Sequence, residues 1–229
     1  MIITHIKTII IALVIYSVST LGYAESGNKV VATVFGEPVL LMQLEPVEQK
    51  MSLYRAGNPE LTEPELKDKA RADKLSSLIW QALIKELAKH NDIEPSDEEV
   101  NAFSEFMGGS QSDMTKEMLS ELTQDEVAEY EAQVYQSHKN YVRTYKLSKV
   151  LYEKYGGVVV FQQANPLEPV GAYKAFLKDS RANGHFEIFH EQMKTAFWQV
   201  LNKPHSFIVP EEKVDFSKPW WLQTAQQEQ

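Results

Sequence analysis

The sequence contains no cysteine. Disulfides, thiol nucleophiles, cysteine metal sites and a lipid-modified N-terminal cysteine are therefore all excluded, and stability must come from packing alone. Basic residues are scarce, with 23 Lys and Arg against 32 Asp and Glu and a net charge of -9. A nucleic-acid partner, which would want a basic surface, is disfavoured. No GxxxxGK[ST] loop accompanies the Gly108-Gly109 pair, and no GxSxG elbow is present. The histidines of HFEIFHE, His185 and His190, lack the spacing of a zinc helix, because His190-Glu191-Gln192-Met193 leads to Lys194. Paired carboxylates such as Glu98-Glu99 stand at a helix start, where the helix dipole explains them. No metal, cofactor or catalytic residue is expected, and no internal repeat is visible.

What is there fits a folded chain. Its 229 residues are 43% hydrophobic and 10% aromatic, enough for one ordinary domain with a real core. The opening MIITHIKTIIIALVIYSVSTLGYA reads as a secretory leader: Lys7 supplies the positive charge, Ile9 to Val18 the apolar run, and Gly22-Tyr23-Ala24 the small residues of a cleavage site after Ala24. The apolar run falls well short of the roughly 20 residues that a spanning helix needs, so stable membrane insertion after cleavage is not expected.

The strongest internal signal is Lys74 to Val100. Leu75, Leu78, Ile79, Ala82, Leu83 and Leu87 recur at three- and four-residue steps, which predicts a core helix ending near His90-Asn91-Asp92. Ser96 and Glu99 then form a capping box that opens a second helix, with Val100, Phe103 and Met107 on its stripe up to Gly108-Gly109; residues 108 to 115 read as a polar loop. Thr123 and Glu126 form another box. From it a helix of roughly thirty residues runs to Gly156-Gly157 through Val127, Tyr130, Val134, His138, Tyr141, Tyr145 and Tyr152.

Before the core helix, Val30 to Phe35 and Val39 to Leu41 predict a hairpin turned at Gly36-Glu37-Pro38, with Val30, Ala32 and Val34 sharing a face. Glu45-Pro46-Val47 predicts a helix start, with Val47, Met51 and Tyr54 on one side. After the long helix, Val158 to Phe161 is a candidate third strand, since two strands alone are marginal. Helices are then expected from Ala172 to Asn183-Gly184, and with Phe186, Phe189, Met193, Phe197, Val200 and Leu201 on the last stripe. Beyond Pro204 the chain reads as an extended tail holding Pro219-Trp220-Trp221.

Three pieces in this order resemble the N-terminal chaperone domain of the SurA-type and related parvulin-containing proteins of the bacterial envelope. VVATVFGEPVL is similar to their opening strand-turn-strand, LIWQALIKELAKHNDIEPSDEEVNAF to their core helix and capped helix start, and QDEVAEYEAQVYQSHKNYVRTYKLSKVL to the long helix that follows. The resemblance spans about Val30 to Leu151. It implies a mainly α fold, a SurA N-terminal-like helical domain with a small β-hairpin or three-stranded sheet, and a periplasmic, ATP-independent, non-enzymatic chaperone of unfolded or extended polypeptides such as outer-membrane proteins. No parvulin pattern follows the long helix, so prolyl isomerase activity is not expected. The organisation expected is a leader over 1–24, a helical domain over 25–203 (30–155 SurA-N-like, 156–203 completing helices) and a tail over 204–229. Surplus aromatics nominate Tyr141, Tyr145, Phe197 and Trp198 for substrate binding. The same fold could instead dock one dedicated envelope partner as a scaffold or form a homodimer, and a degenerate isomerase is a third reading.

Overall fold

A computed structural model of the chain describes residues 29–108, 119–163 and 165–223; the expected leader and most of the expected polar loop lie outside them. Strand β1 (Val30–Val34) pairs antiparallel with β2 (Glu37–Leu40) across a two-residue loop, Phe35-Gly36, in which both residues have positive φ, 50° and 82°. Such a turn matches the twist of the flanking strands, and glycine is free to adopt its second position. Pro38 therefore lies within β2 opposite Thr33, which is tolerated because β2 is an edge strand of the sheet order β2-β1-β3.

The expected alternation in β1 is altered. A register shift between Val30 and Ala32 buries Val31 alongside Ala32 and Val34 and leaves Val30 exposed. An inserted residue reverses the facing of everything before it. The third strand is also not where Val158 to Phe161 suggested. It is β3 (Phe186–Ile188), antiparallel to β1, with Phe186 opposite Val34 and Ile188 opposite Ala32. Val160 instead bridges Glu168 on one side and Ile208 on the other.

Helix α1 (Glu48–Gly57) buries Met51 against Leu66 and Ala70 of α2 (Glu63–Ala88), while Val47 stays exposed. Thr62 opens α2 with a further box: the Glu65 carboxylate accepts from the Thr62 N–H at 2.8 Å. Leu75, Ile79 and Leu83 of α2 are buried as predicted, but Leu78 is exposed. Helix α3 (Asp97–Gly108) starts at the Ser96 box, where the Ser96 N–H donates to Glu99 at 2.8 Å and the Glu99 N–H to Ser96 Oγ at 3.3 Å. Helix α4 (Gln124–Tyr155) starts at the Thr123 box and stops at Gly156, φ 60°. Helix α5 (Val170–Ala182) and, after β3, helix α6 (Glu191–Val200) complete the main core. There Leu75, Ile79 and Leu83 meet the inner face of the sheet, Leu147 and Leu151 of α4, Phe176 and Leu177 of α5, and Met193 and Phe197 of α6. The last predicted helix is thus divided: Phe186 belongs to a strand, and the helix begins only at Glu191.

Residues 205–223, expected as an extended tail, are not free of the body. They are mostly irregular, with a 3-10 turn at Glu211–Lys213 and a short helix α7 (Trp220–Gln223), but they pack back on the body. Phe216 and Trp221 are buried in a second cluster with Phe103 of α3, Val142 and Tyr145 of α4, Val159 and Leu167.

A buried polar network joins the two clusters. Ser148 of α4, fully buried, lies 2.7 Å from the Tyr173 hydroxyl of α5, and Asn165 donates to Glu168. Burial pushes the Glu168 carboxyl above its ordinary range, outweighing the hydrogen bonds from Asn165 and Tyr173 that favour the ion. A raised folded-state value means no penalty below the ordinary carboxylate pKa, and a loss of stability as pH rises through the raised one. Glu168→Gln should therefore gain stability relative to the native chain between about pH 4 and about pH 7. Urea denaturation of both chains at the two pH values checks this; a constant difference would show that Glu168 does not titrate abnormally.

Candidate functional site

Helices α3 and α4 form an antiparallel pair whose outer part stands on its own. None of the α4 residues from 124 to 141 is buried; burial on this helix begins at Val142. Polar bonds fix the pair. Tyr135 donates to Asp97 at 2.5 Å, Ser104 Oγ is 2.8 Å from His138 Nδ1, and Arg143 forks onto Glu94 at 3.1 and 2.7 Å. Lys146 reaches Asp92 at 3.3 Å, Glu99 at 3.1 Å and the Glu94 carbonyl at 3.0 Å. Partial burial holds the His138 imidazole below its usual pKa, which favours the neutral ring at this apolar junction.

Where α3 faces the middle of α4, aromatic rings accumulate. Phe103 stacks on Tyr141 with centroids 5.6 Å apart and meets the edges or faces of His138 at 5.2 Å, Trp220 at 6.2 Å and Trp221 at 5.0 Å. Phe106 meets Trp220 at 5.4 Å. A cleft of about 280 Å³ opens here between Tyr141, Tyr145, Trp220 and Trp221, with Asn140 and Thr144 at its edge. Tyr141 is 43% exposed, and Phe106 and Met107 at the end of α3 are also exposed. Offset and edge-to-face ring pairs add attraction beyond their buried area, so such a cleft is suited to apolar and aromatic side chains.

Of the four nominated residues, Tyr141 and Tyr145 line one cleft, whereas Phe197 and Trp198, in edge-to-face contact at 5.0 Å, line two others. Tyr145 is nearly buried; its hydroxyl donates to the Phe216 carbonyl at 3.1 Å, and burial raises its phenol pKa. Phe197 is buried in the main core and floors a separate cleft of about 230 Å³ with Trp80, Leu177, Val200 and Leu201. Trp198 lines a third, of about 550 Å³, beside Lys178, Arg181 and Glu187, where Arg181 forks onto Glu187 at 3.0 and 2.9 Å. Trp220 and Trp221 also line the first cleft, with Phe103 and Phe106 packed against them, and none of these four was nominated. The Trp220-Trp221 pair was the signal for them, since two adjacent tryptophans in a polar tail need somewhere to go.

Among the described residues, no group of three or more His, Asp or Glu is placed to hold a metal ion. His185 and His190 flank β3, and the His185 ring lies 5.2 Å from Phe35. No described helix is long and apolar enough to cross a membrane.

Residues 1–107 match the family model of the SurA-like N-terminal domain. The match ends within α3, so the long helix α4, which the sequence resemblance included, lies beyond it. No curated protein and no solved structure matches the chain. A domain of this kind points to a chaperone-type or peptide-binding role in general.

Proposed function

We propose that the chain is a periplasmic, ATP-independent, non-enzymatic chaperone-like protein that holds unfolded or extended polypeptide segments, outer-membrane proteins among them. The observation that carries this reading is the aromatic cleft between α4 and the Trp220-Trp221 pair, with half-exposed Tyr141 in its lining and the exposed Phe106 ring packed on Trp220. An accessible group of large apolar side chains on the outer part of a helical pair, away from the Leu147 and Leu151 contacts with the main core, is a surface for a partner rather than for the fold. The SurA-like match over residues 1–107 supports a polypeptide as that partner, and the secretory leader read in the sequence supports the periplasm.

The test uses the chain from Glu25 onward, mixed with an unfolded outer-membrane protein diluted from urea. Light scattering should rise more slowly in its presence. Tyr141→Ala, at a half-exposed position with little to lose in stability, should weaken client binding about tenfold, the size of a central aromatic contact. If the native chain neither slows aggregation nor binds the unfolded protein, the chaperone reading is wrong. In cells, cross-linking should capture many partners; a single dominant one would indicate a dedicated scaffold instead.

A further inference from the structure

The stretch from Phe207 to Gln223 is attached to the body in an unusual way. At its root it adds to the segment after α4 as a short strand: the Phe161 N–H donates to the Phe207 carbonyl at 2.8 Å, and the Val209 N–H donates to the Val159 carbonyl at 2.9 Å. From Pro210 onward, its backbone hydrogen bonds described here stay within the stretch, at Lys213 to Pro210, Val214 to Glu211 and Leu222 to Pro219. Side chains close it further, with Gln223 Nε2 donating to the Lys218 carbonyl at 2.7 Å and the Ser217 N–H to Asp215 at 2.7 Å. Phe216, Trp220 and Trp221 and one carbonyl anchor this part to the body, Trp220 through Phe103 and Phe106. Phe216 packs on Tyr152 and Tyr145 at 4.9 and 6.1 Å, and Trp221 on Phe103 and Tyr145 at 5.0 and 5.1 Å. Tyr145 Oη and Lys149 Nζ each donate to the Phe216 carbonyl at 3.1 Å. At the root, Phe207 is 78% exposed and held at φ 60°, a left-handed conformation that costs a non-glycine residue energy.

This is how a protein holds a bound peptide: strand addition for the main chain, donors for a carbonyl, and ring sockets for side chains. We propose that residues 207–223 are a resident ligand, a strap covering an extended-polypeptide site that a client must displace. The proposal rests on the polypeptide-binding reading above: the strap lends Trp220 and Trp221 to that cleft, and its displacement leaves Tyr141 and Tyr145 continuous with the surface beneath it. Once vacated, the Phe161 N–H, the Val159 carbonyl, the Tyr145 hydroxyl and the Lys149 ammonium read a client's main chain, whatever its sequence. The Phe103-Tyr145-Tyr152 sockets take its apolar side chains. Because the strap competes in cis, at the high effective concentration of a tethered segment, loosening it raises apparent client affinity in proportion to the fraction of open molecules.

Two full-length variants and one probe, a dye-labelled peptide copying residues 205–223, test this. Phe216→Ala weakens the strap, so the probe should bind that chain at least tenfold more tightly than the native chain, and unfolded outer-membrane protein should displace it. Val160→Cys with Ile208→Cys places a pair at a bridge whose flanking residues carry the hydrogen bonds, the geometry in which facing side chains come closest. In a chain without other cysteines this disulfide fixes the strap's root over Val159 and Phe161. The oxidised form should bind the unfolded protein at least tenfold more weakly than the reduced form of the same chain. The strap proposal is overturned if Phe216→Ala takes up the probe no better than the native chain, or if oxidised and reduced forms bind alike. Those results, with aggregation still suppressed by the native chain, leave the chaperone reading standing; a native chain that binds no unfolded protein removes both.

Discussion

Phe103→Ala should destabilise the chain by about 3–5 kcal/mol, the range for deleting a buried aromatic ring. Phe103 is 2% exposed and is the ring on which the α3–α4 junction converges, meeting His138, Tyr141, Trp220 and Trp221 within about 6 Å. Its removal forfeits the transfer energy of the ring and leaves a cavity between two helices and the strap. The neighbouring rings cannot all close that gap, because Tyr145 is tied to the Phe216 carbonyl and His138 to Ser104. The check is urea denaturation followed by circular dichroism. A midpoint lowered with an unchanged slope reports lost packing, whereas a loss below about 1 kcal/mol would mean that the ring fills no essential space. Phe106→Ala, at an exposed ring of the same helix, should cost far less.

The second large effect concerns a contact that no side chain makes. The segment leaving α4 crosses the first turn of α5 so closely that a Cβ on Gly171 would stand 2.3 Å from the Val158 nitrogen and 2.9 Å from the Gly157 carbonyl carbon. These are backbone atoms, and the Gly171 N–H already donates to the Val158 carbonyl at 2.9 Å, so neither chain can step aside without breaking the crossing. Gly171→Ala should therefore cost about 3 kcal/mol, the upper part of the usual range for overpacking. Gly57→Ala, at the end of α1 with nothing within 4 Å of the added atom, is the matched control and should change stability by less than about 0.5 kcal/mol. Equal melting of the two variants would falsify the close-crossing argument.

Local chemistry made part of this structure readable. The Ser96 and Thr123 boxes fixed two helix starts, because a Ser or Thr followed three residues later by Glu satisfies orphan donors whatever the rest of the chain does. Thr62 with Glu65 is the same signal and opens α2. The hairpin and the core stripe of α2 were legible for the same reason, though the bulge at Val31 was not, because an unpaired residue in a strand leaves no mark in composition. The placement of β3 was lost to an ambiguity. Phe186, Phe189 and Met193 satisfy helical spacing while Phe186 and Ile188 satisfy strand alternation, and only pairing with β1 decides between them. The candidate site was half legible: Tyr141 and Tyr145 lie on one helix, whereas Trp220 and Trp221 reach them across 75 to 80 residues of sequence, a distance that no periodicity spans.

Helix α4 belongs to two neighbourhoods at once. Leu147 and Leu151 are rooted in the main core, while Val142 and Tyr145 belong to the cluster shared with α3 and the strap, and the residues before them are at most partly buried. Opening free energy is therefore expected to be graded along a single helix, high near Leu151 and low near Gln124, so that the α3 end can breathe as a sub-global unit while the sheet and its helices stay folded. A polypeptide holder built this way can loosen and re-form its grip many times without ever drawing on the stability that keeps it a protein.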